Sequence, residues 1–511
     1  MSRVPSVDSH GADKNPDDPS VTSAAYDKMI PVWNKLNTVE GGTDEMRAAG
    51  TVYLPQHTGE DNDNYIKRLE TSVLFPKMGK TLEELAAKPF SDEMKIKDDT
   101  PAVIQEFMEN DIDLNGNKAA IFYQEWFRDG IFKGFSYVLV DIARPETEEG
   151  VPRTKHDDKR ENRRPYMVHI LPEQVIFVAY AVVNGVQKLS HLRVREEVTE
   201  QNGFTETTRH RIRVFDIGYI TTYYRVEDKK DHDEDAWRVS AEESYDTGLD
   251  EIPVVAFCVD RRGVQLSKPP LEDLSDLNIA HWQSSSDQQN ILKVARFPIL
   301  SISGDRVRQQ YGPDGAKVGT GNVIGPRQLL RFEDPNARAR YVEHTGSAIE
   351  SGRKELLDLE EQMAMYGSQF TRRQSGNATA TARTIDSAEA VSTLQSWAMR
   401  FEDAAAEAQR LMTLYLDGVT GSGGRIKLNH KATVSDSNDS ELTALDRMRS
   451  RRDLSRENYL SEMVRRGILA EDFDVEEDAK LLENEPTPGL DLDPGGEPDP
   501  DPEPEPDPEP E

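Results

Sequence analysis

Cysteine is almost absent from this sequence, because Cys258 is the single cysteine in 511 residues. One thiol excludes a disulfide framework and a thiolate metal cluster, and it fits a chain that is kept in a reducing compartment. Cys258 lies within the apolar run IPVVAFCVD, residues 252–260. We therefore expect a small, buried apolar side chain rather than a reactive group.

Long apolar runs are also missing. No segment approaches the ~20 consecutive apolar residues that cross a bilayer, and residues 1–20 contain no apolar core of a signal peptide. The sequence therefore predicts no membrane partner and a protein that is made in the cytoplasm. With 36% hydrophobic residues the chain still has enough apolar surface for sizeable cores, and its length favours about three domains.

The motifs of common catalytic sites are missing as well. Gly79-Lys80-Thr81 lacks the glycine that a phosphate-binding loop requires five residues earlier, because Leu74 stands there. The ten histidines form no H-x-x-x-H pair, and residues 436–441, DSNDSE, lack the central glycine of a calcium loop. The sequence predicts no catalytic residue, no bound cofactor and no metal site, so it does not indicate an enzyme.

Positive charge is scarce relative to negative charge, and the formal net charge is −32. Residues 471–511 contain 18 carboxylates and one cation, Lys480, so they carry more than half of the imbalance. The last residues, GGEPDPDPEPEPDPEPE, alternate proline with carboxylate, which favours an extended, self-repelling chain. We expect residues 486–511 to be a disordered acidic tail that keeps the protein soluble, repels DNA or docks a basic partner. The net charge of the rest does not exclude DNA as a partner.

Before Pro270 the sequence reads as helices followed by strands, after a disordered segment at residues 1–22. Helical periodicity covers residues 24–46, 65–87 with a break near Pro76, and 119–132. From Gly134 to about residue 262 the pattern changes to β-branched and aromatic runs, and Asn184-Gly185 indicates a two-residue hairpin. Asp61 is better placed to cap a helix than to bind a cation. This part of the chain predicts a mixed α+β domain.

After Pro270 the strand signals nearly vanish and a helix is predicted for LEDLSDLNIAHWQSSSDQQNILKVA, residues 271–295. One face of this helix is apolar at its ends and polar in its middle, and comprises Leu271, Leu274, Asn278, His281, Ser285, Gln288 and Leu292. Such a face is a poor core for a single chain. We expect it to pack against copies of itself through side-chain hydrogen bonds, or to face water.

A small β insertion, residues 296–344, precedes two further helices. The second helix carries an apolar stripe that comprises Ile349, Gly352, Leu356, Leu359, Met363 and Tyr366. The third helix carries a longer seam that comprises Val391, Leu394, Ala398, Phe401, Ala405, Ala408, Met412 and Tyr415. Steps of three and four residues over more than three heptads are typical of a buried face, and Gly418 is suited to end the helix.

A polar segment, MYGSQFTRRQSGNATATARTIDS at residues 365–387, separates the second and third helices. It carries Arg372, Arg373 and Arg383, and it has no carboxylate before Asp386. Taken alone, this composition is typical of an ordinary surface loop. Its place in the order of the helices gives it a second interpretation.

Three local segments carry a resemblance to a known family. They are YLPQHTGED with YIKRLETSVLFPKMGKTLEELAAKPF, LEDLSDLNIAHWQSSSDQQNIL with FPILSISG, and LSRENYLSEMVRRGIL. With the order of mixed domain, helix, β module, helix, polar loop and long helix, they resemble the portal proteins of tailed bacteriophages, and within these an otherwise uncharacterised portal family. The resemblance covers about residues 30–485, and the acidic proline-rich tail is not a family feature.

The resemblance implies an α+β portal-like fold with a mixed α/β wing, a helical stem, a small β clip, a long wing helix and a helical C-terminal segment. The implied parts are a disordered N-terminus (1–22), wing (23–265), stem helix (266–294), clip (295–345), second stem helix (346–366), tunnel loop (367–380), wing helix and return (381–435), crown-like helices (436–485) and disordered tail (486–511).

The resemblance also implies a function: a homo-oligomeric ring, a dodecamer in many phages, that forms a channel at one capsid vertex for packaging and ejecting double-stranded DNA. The implied partners are terminase, then a head-tail adaptor, and the major capsid or scaffolding protein. The chain would reside in the virion, and in the host cytoplasm during assembly. The implied DNA-facing residues of the tunnel loop are Arg372, Arg373, Asn377, Thr379 and Arg383, which would contact phosphates without reading sequence.

The residues themselves leave a second function open. A non-catalytic α-helical scaffold or assembly protein would use the same seam to build filaments or coiled coils. Its acidic tail would then bind a basic partner. The mass of native particles separates the two hypotheses, because a closed ring supports the portal and dimers or open fibres support the scaffold.

Overall fold

The computed structural model describes two units of the chain, Met1–Ser435 and Asp436–Glu511, each only in part. The described residues are 17–143, 163–225, 237–296, 299–303, 310–311, 317–318, 338–342, 346–370, 393–416, 418–419, 421–429, 438–465, 468–469, 473, 478 and 480–481. They combine helices with antiparallel sheets, so the predicted α+β class is confirmed. Among these residues no helix is both long and apolar enough to cross a bilayer.

The described helices of the first unit are α1 (Ala24–Glu40), α2 (Gly42–Ala49), α3 (Asn62–Thr71), α4 (Lys77–Ala87), α5 (Ala102–Asn110), α6 (Ala119–Lys133), α7 (Glu272–Ala295), α8 (Ser347–Gln369) and α9 (Thr393–Thr413). Local chemistry sets several of their ends. The Asp61 carboxylate accepts a hydrogen bond from the Asn64 backbone N–H at 2.9 Å, so its predicted capping role is confirmed. The predicted helix over 24–46 divides at Gly41, because Gly42 has a left-handed φ of 83°.

The strands are β1 (Lys95–Ile96), β2 (Phe135–Ile142), β3 (Pro165–Ile170), β4 (Val175–Val183), β5 (Val186–Asn202), β6 (Thr205–Asp216), β7 (Tyr219–Arg225), β8 (Trp237–Asp246), β9 (Val254–Cys258), β10 (Arg261–Gly263), β11 (Leu266–Ser267), β12 (Ile299–Ser303), β13 (Gln310–Tyr311), β14 (Lys317–Val318), β15 (Arg338–Val342) and β16 (Ile426–Lys427). Strands β4 to β8 form an antiparallel meander, and β3, β2 and β9 form a second sheet in that order. Asn184 and Gly185 both have positive φ, as the predicted two-residue hairpin between β4 and β5 requires.

The main core lies where α9 crosses α6 and the β2/β9 sheet. The Phe401 ring of α9 lies 5.0–5.3 Å, centroid to centroid, from the rings of Trp126, Phe127 and Phe257. The described seam residues that are buried are Leu394, Ala398, Phe401, Ala405, Ala408 and Met412. The predicted buried face of the third helix is therefore confirmed over Leu394–Met412, and Val391 lies outside the described residues.

Four boundary predictions differ from the structure. Disorder is predicted for residues 1–22, but residues 17–22 contact the folded domain: Pro19 is buried, and its carbonyl oxygen accepts a hydrogen bond from the Arg193 guanidinium at 3.2 Å. The stem helix begins at Glu272 rather than at 266, since Leu266–Ser267 form β11. The third helix ends at Thr413 rather than at Gly418, because tighter i to i+3 backbone bonds replace the α-helical pattern from Leu411 onward. The fourth difference, at the end of α8, is described with the site.

Cys258 is half-buried rather than fully buried. It is the last residue of β9, an edge strand of its sheet, and it lines a surface cavity. Burial still raises the pKa of its thiol above the ordinary value. The prediction of a fully buried cysteine is therefore wrong: Cys258 packs against the core from the less covered face of β9, whereas Val255 and Phe257 on the opposite face are buried.

Gly130 in α6 permits the close approach of the β9 sheet. A Cβ atom at this position would overlap the Phe257 ring, so we expect Gly130→Ala to lower the free energy of unfolding by about 1–3 kcal/mol despite the better helix propensity of alanine. Denaturant unfolding of both proteins measures the difference. Gly79→Ala in α4 is the matched control, because a Cβ atom there would have no neighbour within 4 Å and a gain of about 0.5–1 kcal/mol is expected. Equal effects at the two glycines would contradict the overlap.

The second unit contains a short helical hairpin, α10 (Asn438–Ser450) and α11 (Arg456–Arg465). Ser455 caps α11 by accepting a hydrogen bond from the Asn458 backbone N–H at 3.2 Å. The Tyr459 hydroxyl donates to the Asp446 carboxylate at 2.7 Å and joins the two helices. The acidic tail, residues 486–511, lies outside the described residues.

Candidate functional site

The site is organised by an antiparallel pair of long helices, α7 and α8. At one end the Tyr366 hydroxyl of α8 donates to the Pro270 carbonyl oxygen at 3.1 Å. Toward the other end the Gln288 amide of α7 donates to the Ile349 carbonyl oxygen at 2.8 Å. The C-terminal end of α8 thus contacts the start of α7, and the N-terminal end of α8 contacts the later part of α7, so the two helices are antiparallel. Met363 is the fully buried residue of α8, and most of the partly covered residues of the helix share its stripe.

A β ladder follows the helix pair at the Ala295 end. Strand β12 pairs with β15 in antiparallel register, from Ile299 opposite Val342 to Ser303 opposite Arg338. The chain thus leaves α7, forms β12, and returns through β15 into α8. Most of the predicted clip between these strands lies outside the described residues.

The polar middle of α7 is buried within the same chain, which corrects the prediction that it faces copies of itself or water. Asn278 is fully buried: its amide donates to the Phe75 carbonyl oxygen at 2.8 Å, and its oxygen accepts from the Met78 backbone N–H at 3.0 Å. Met78 lies in the first turn of α4, where a backbone N–H has no partner within the helix, and Asn278 supplies one. The Phe75 carbonyl oxygen, which also accepts from the Lys77 N–H at 2.8 Å, receives a second hydrogen bond from the same side chain. A polar residue is therefore suited to this core position.

Other polar side chains of α7 bind the same N-terminal region. The hydroxyls of Ser286 and Ser72 lie 2.8 Å apart, and the Gln283 amide donates to the Tyr53 carbonyl oxygen at 2.9 Å. The His281 ring packs on the Phe75 ring with centroids 5.2 Å apart. These contacts attach α7 to residues 53–78 along several turns.

A charged network extends this attachment to Asp287. Arg68 is buried and donates two parallel hydrogen bonds to the Glu60 carboxylate, at 2.9 and 2.8 Å, and a third to the Pro55 carbonyl oxygen at 2.8 Å. The Asp287 carboxylate lies 3.6 Å from the same guanidinium and 3.0 Å from the His57 imidazole. The bidentate contact with Arg68 lowers the pKa of Glu60 to about 2.

We expect this pair to stabilise the fold at neutral pH and to lose its effect in acid. An unpaired glutamate has a pKa of 4.5, so the stabilisation is complete above that pH and is lost as the pH falls from 4.5 towards 2. Glu60→Gln should therefore lower the thermal midpoint at pH 7 by much more than at pH 2.5. Asp44→Asn, whose side chain is 97% exposed, is the control. An equal shift for Glu60→Gln at both pH values would contradict this role of the carboxylate.

The C-terminal end of α8 packs against α4 around a cavity of about 190 Å³. Lys77, Glu84 and Lys88 line it on the side of α4, and Gly367 and Ser368 of α8 line it on the other. A Cβ at Gly367 would lie 3.1 Å from the Thr81 side chain, so the glycine permits close packing of the two helices. Residues 367–369 are thus the last turn of α8, which corrects the prediction that the tunnel loop begins at 367.

The end of α8 and the start of α9 are joined at one point. The Phe370 carbonyl oxygen, at the end of α8, accepts from the backbone N–H of Leu394, at the start of α9, at 3.1 Å. The rings of Phe370 and Trp397 lie 5.4 Å apart and strengthen this junction. The segment 371–392 is therefore bounded by residues that are held together at one junction.

The predicted DNA-facing residues all fall within this segment, outside the described residues. They are Arg372, Arg373, Asn377, Thr379 and Arg383. The contact between Phe370 and Leu394, and the cavity that Lys77 and Lys88 line beside Gly367 and Ser368, were not predicted from the sequence. The lysines belong to the α4 region, and only the packing of α4 on α8 brings them to the last turn of α8.

The described residues offer no other obvious chemical centre. Gly79, Lys80 and Thr81 lie within α4, and the Lys80 backbone N–H donates to the Pro76 carbonyl oxygen at 3.3 Å, so this stretch is a helix rather than a phosphate-binding loop. Within the described ranges, no three His, Cys, Asp or Glu side chains are grouped to hold a metal ion.

One protein family matches the central part of the chain. Residues 270–416, which contain α7, α8 and α9, match a family described as "Domain of unknown function (DUF4055)". The matched range is less than half of the chain. No curated protein matches the sequence.

The chain is also similar to solved structures of gene transfer agent (GTA) particles. A chain of the "Virion of native gene transfer agent (GTA) particle" is 13% identical, with 86% of this chain and 99% of that chain covered and a TM-score of 0.36. A chain of the "Neck of empty GTA particle computed with C6 symmetry" is 13% identical, covering 87% and 99%, with a TM-score of 0.37. A chain of the "Neck of native GTA particle computed with C12 symmetry" is 12% identical, covering 81% and 97%, with a TM-score of 0.35. At these identities and TM-scores the likeness assigns neither fold nor function.

Proposed function

We propose that this chain is a portal protein that forms a ring-shaped channel at one capsid vertex for packaging and ejecting double-stranded DNA. One observation carries the proposal. The arginine-bearing segment 371–392 starts and ends at one junction, the bond between Phe370 and Leu394, at one end of an antiparallel helix pair that has a β ladder at its other end. The order of parts that resembles portal proteins supports the same function.

In the proposed ring, about twelve copies are related by rotation around one axis, and their tunnel loops converge on it. Arginines repeated around a channel contact phosphates at any sequence, because phosphate contacts carry no base information. Small polar residues between them keep the number of cations low enough for the duplex to slide. Lys77 and Lys88, together with Glu84, line the cavity beside the last turn of α8 and give its lining a net positive charge.

The other parts have partners in this proposal. The clip, residues 295–345, docks the packaging terminase first and the head-tail adaptor later. The wing contacts the major capsid or scaffolding protein. The chain itself is not an enzyme in this proposal, and the energy for translocation comes from the ATPase of the terminase. The protein assembles in the host cytoplasm and resides in the virion.

The mass and image of the purified protein test the proposal. Native mass measurement should give a closed assembly of about twelve copies, and electron cryomicroscopy should show an axial channel that admits a DNA duplex. Dimers or open fibres would support the alternative, a non-catalytic α-helical scaffold with an acidic partner-binding tail. Rings with residues 371–380 on the outer rim would remove the loop from the DNA path.

A further inference from the structure

A long two-stranded arm projects from the five-stranded sheet. Strands β5 and β6 stay paired out to Asn202 opposite Thr205. Their outer neighbours stop earlier, because β4 covers β5 only as far as Val194 and β7 covers β6 only from Arg211. The ribbon at residues 197–210 therefore extends about 20 Å beyond the described pairing partners of its two strands. An isolated two-stranded ribbon is marginally stable, so this arm would gain from a partner.

A phenyl ring stands at the tip of the arm. Phe204 is fully exposed, and no other large apolar side chain in the described part of the chain has a higher exposure. The preceding residue, Gly203, has a φ of 62° and makes the turn that presents it. Apart from Gly203 and the half-buried Val198, the rest of the arm is polar, so a single aromatic side chain is displayed at its end.

A cavity of about 240 Å³ on the same chain matches this ring in size and character. Its walls come from β2, β4, β9 and the β10–β11 turn. The main apolar and aromatic lining residues are Phe135, Tyr137, Val178, Tyr180, Val264 and Leu266. Aromatic walls of this kind suit an inserted phenyl ring, which prefers edge-to-face or offset contacts.

The charges around the two features are complementary. Glu197, Glu200 and Glu206 make the arm acidic on balance, against Arg209. Arg261 lies at the cavity, where its guanidinium is 5.8 Å from the centre of the Tyr180 ring. One carboxylate, Glu407, also lines the cavity, and it is paired with Arg410 at 2.7 Å. Opposite charges on facing surfaces favour their association.

The arm does not reach the cavity of its own chain. The cavity residues Val178 and Tyr180 pair with Leu192 and Leu189 of β5. Phe204 lies a further dozen residues along the arm, about 35–40 Å away at strand rise. The two features thus lie at different places along one sheet, as a head-to-tail contact between copies requires.

We propose that Phe204 of one copy inserts into this cavity of the next copy. The contact is heterologous, with one knob and one cavity on each chain, and repetition with rotation closes a ring. The inference rests on the proposed ring and adds to it the surface that joins neighbouring wings.

Assembly of the purified full-length chain gives the first test. We expect Phe204→Ala to raise the concentration of half-assembly at least about tenfold, the effect of losing one interfacial aromatic anchor. Val182→Ala is the matched control, because Val182 is 75% exposed at the β4–β5 hairpin, at the opposite end of β5 from the arm, and does not line the cavity. Equal assembly of the two variants would overturn the proposal.

Cross-linking identifies the partner surface. In a Cys258→Ser background, Phe204→Cys with Val264→Cys should give a ladder of covalent oligomers with a short bis-maleimide, and Val182→Cys with Val264→Cys should give none. Closed rings in micrographs without the ladder would overturn the arm contact and leave the proposed ring intact. A ladder without closed rings would support the contact and overturn the ring. A link within one chain between Val7→Cys and Val264→Cys would show that residues 1–16 fill the cavity, and would overturn the insertion.

Discussion

Replacing Arg372 and Arg373 together by alanine is expected to lower the packaging of DNA by about tenfold or more while the ring still assembles. Each phosphate contact changes the salt slope by about −0.9, which corresponds to roughly fivefold in affinity near 0.15 M salt. Removing two such contacts from each copy thus weakens the interaction by more than about tenfold. The measurement is the DNase-protected DNA per particle.

Three variants separate charge from other effects. Arg372→Lys with Arg373→Lys keeps both cations and should package nearly normally, because phosphate contact needs charge rather than the shape of the guanidinium. Arg353→Ala removes an exposed arginine of α8 whose described partner is Glu350, and should leave packaging unchanged. Arg383→Ala shows whether the third arginine also contacts DNA.

The salt dependence of binding provides a second readout for the isolated ring. The affinity for a short duplex should fall less steeply with salt in the double alanine variant than in the original protein. Head filling and packaging efficiency equal to those of the original protein would remove Arg372 and Arg373 from the DNA path. The proposed ring would then be supported only by the mass and images of the purified protein.

The second large effect is expected for stability. Asn278→Leu should lower the free energy of unfolding by about 2 kcal/mol although the side chains are similar in size. The change leaves the Met78 N–H buried without its partner, which costs about 1–3 kcal/mol. It also removes one of the two hydrogen bonds that the Phe75 carbonyl oxygen accepts, the other of which comes from the Lys77 N–H. The added apolar surface of leucine offsets only part of this loss.

Asn290→Leu is the matched control, because Asn290 is exposed on the same helix. It should change the free energy of unfolding by no more than about 0.5 kcal/mol. Asn278→Asp keeps an acceptor for Met78 but loses the donor to Phe75, so an effect of at least similar size is expected. Denaturant unfolding compares the three variants. A stability of Asn278→Leu equal to that of the original protein would show that water or rearrangement replaces the asparagine.

Features that depend on neighbouring residues were predicted well from the sequence. Asp61 caps a helix because a short polar side chain reaches the N–H groups two or three residues ahead. Asn184-Gly185 forms a hairpin because both residues accept positive φ. The seam of α9 is buried because its apolar spacing matches the helical repeat.

Features that depend on distant residues were not predicted. The polar middle of α7 looked like a surface for copies or water, and it is buried because backbone groups some 200 residues earlier in the chain need its side chains. Cys258 is predicted to be fully buried, but it lies on the less covered face of β9 and is half-buried. The proposed pairing of Phe204 with a cavity is invisible in sequence, since neither feature has a local motif.

The sequence by itself determined the α+β class, the order of helices and strands, and the place of an arginine-bearing polar segment between two long helices, because each of these follows from local periodicity and composition. Only the tertiary structure decided that the end of α8 and the start of α9 meet at one hydrogen-bonded point, that α7 is attached to residues 53–78, and that β5 and β6 stay paired over residues 197–210 beyond their described pairing with β4 and β7. The physical reason is that such contacts join groups far apart in the chain, and only the folded backbone brings them within bonding distance.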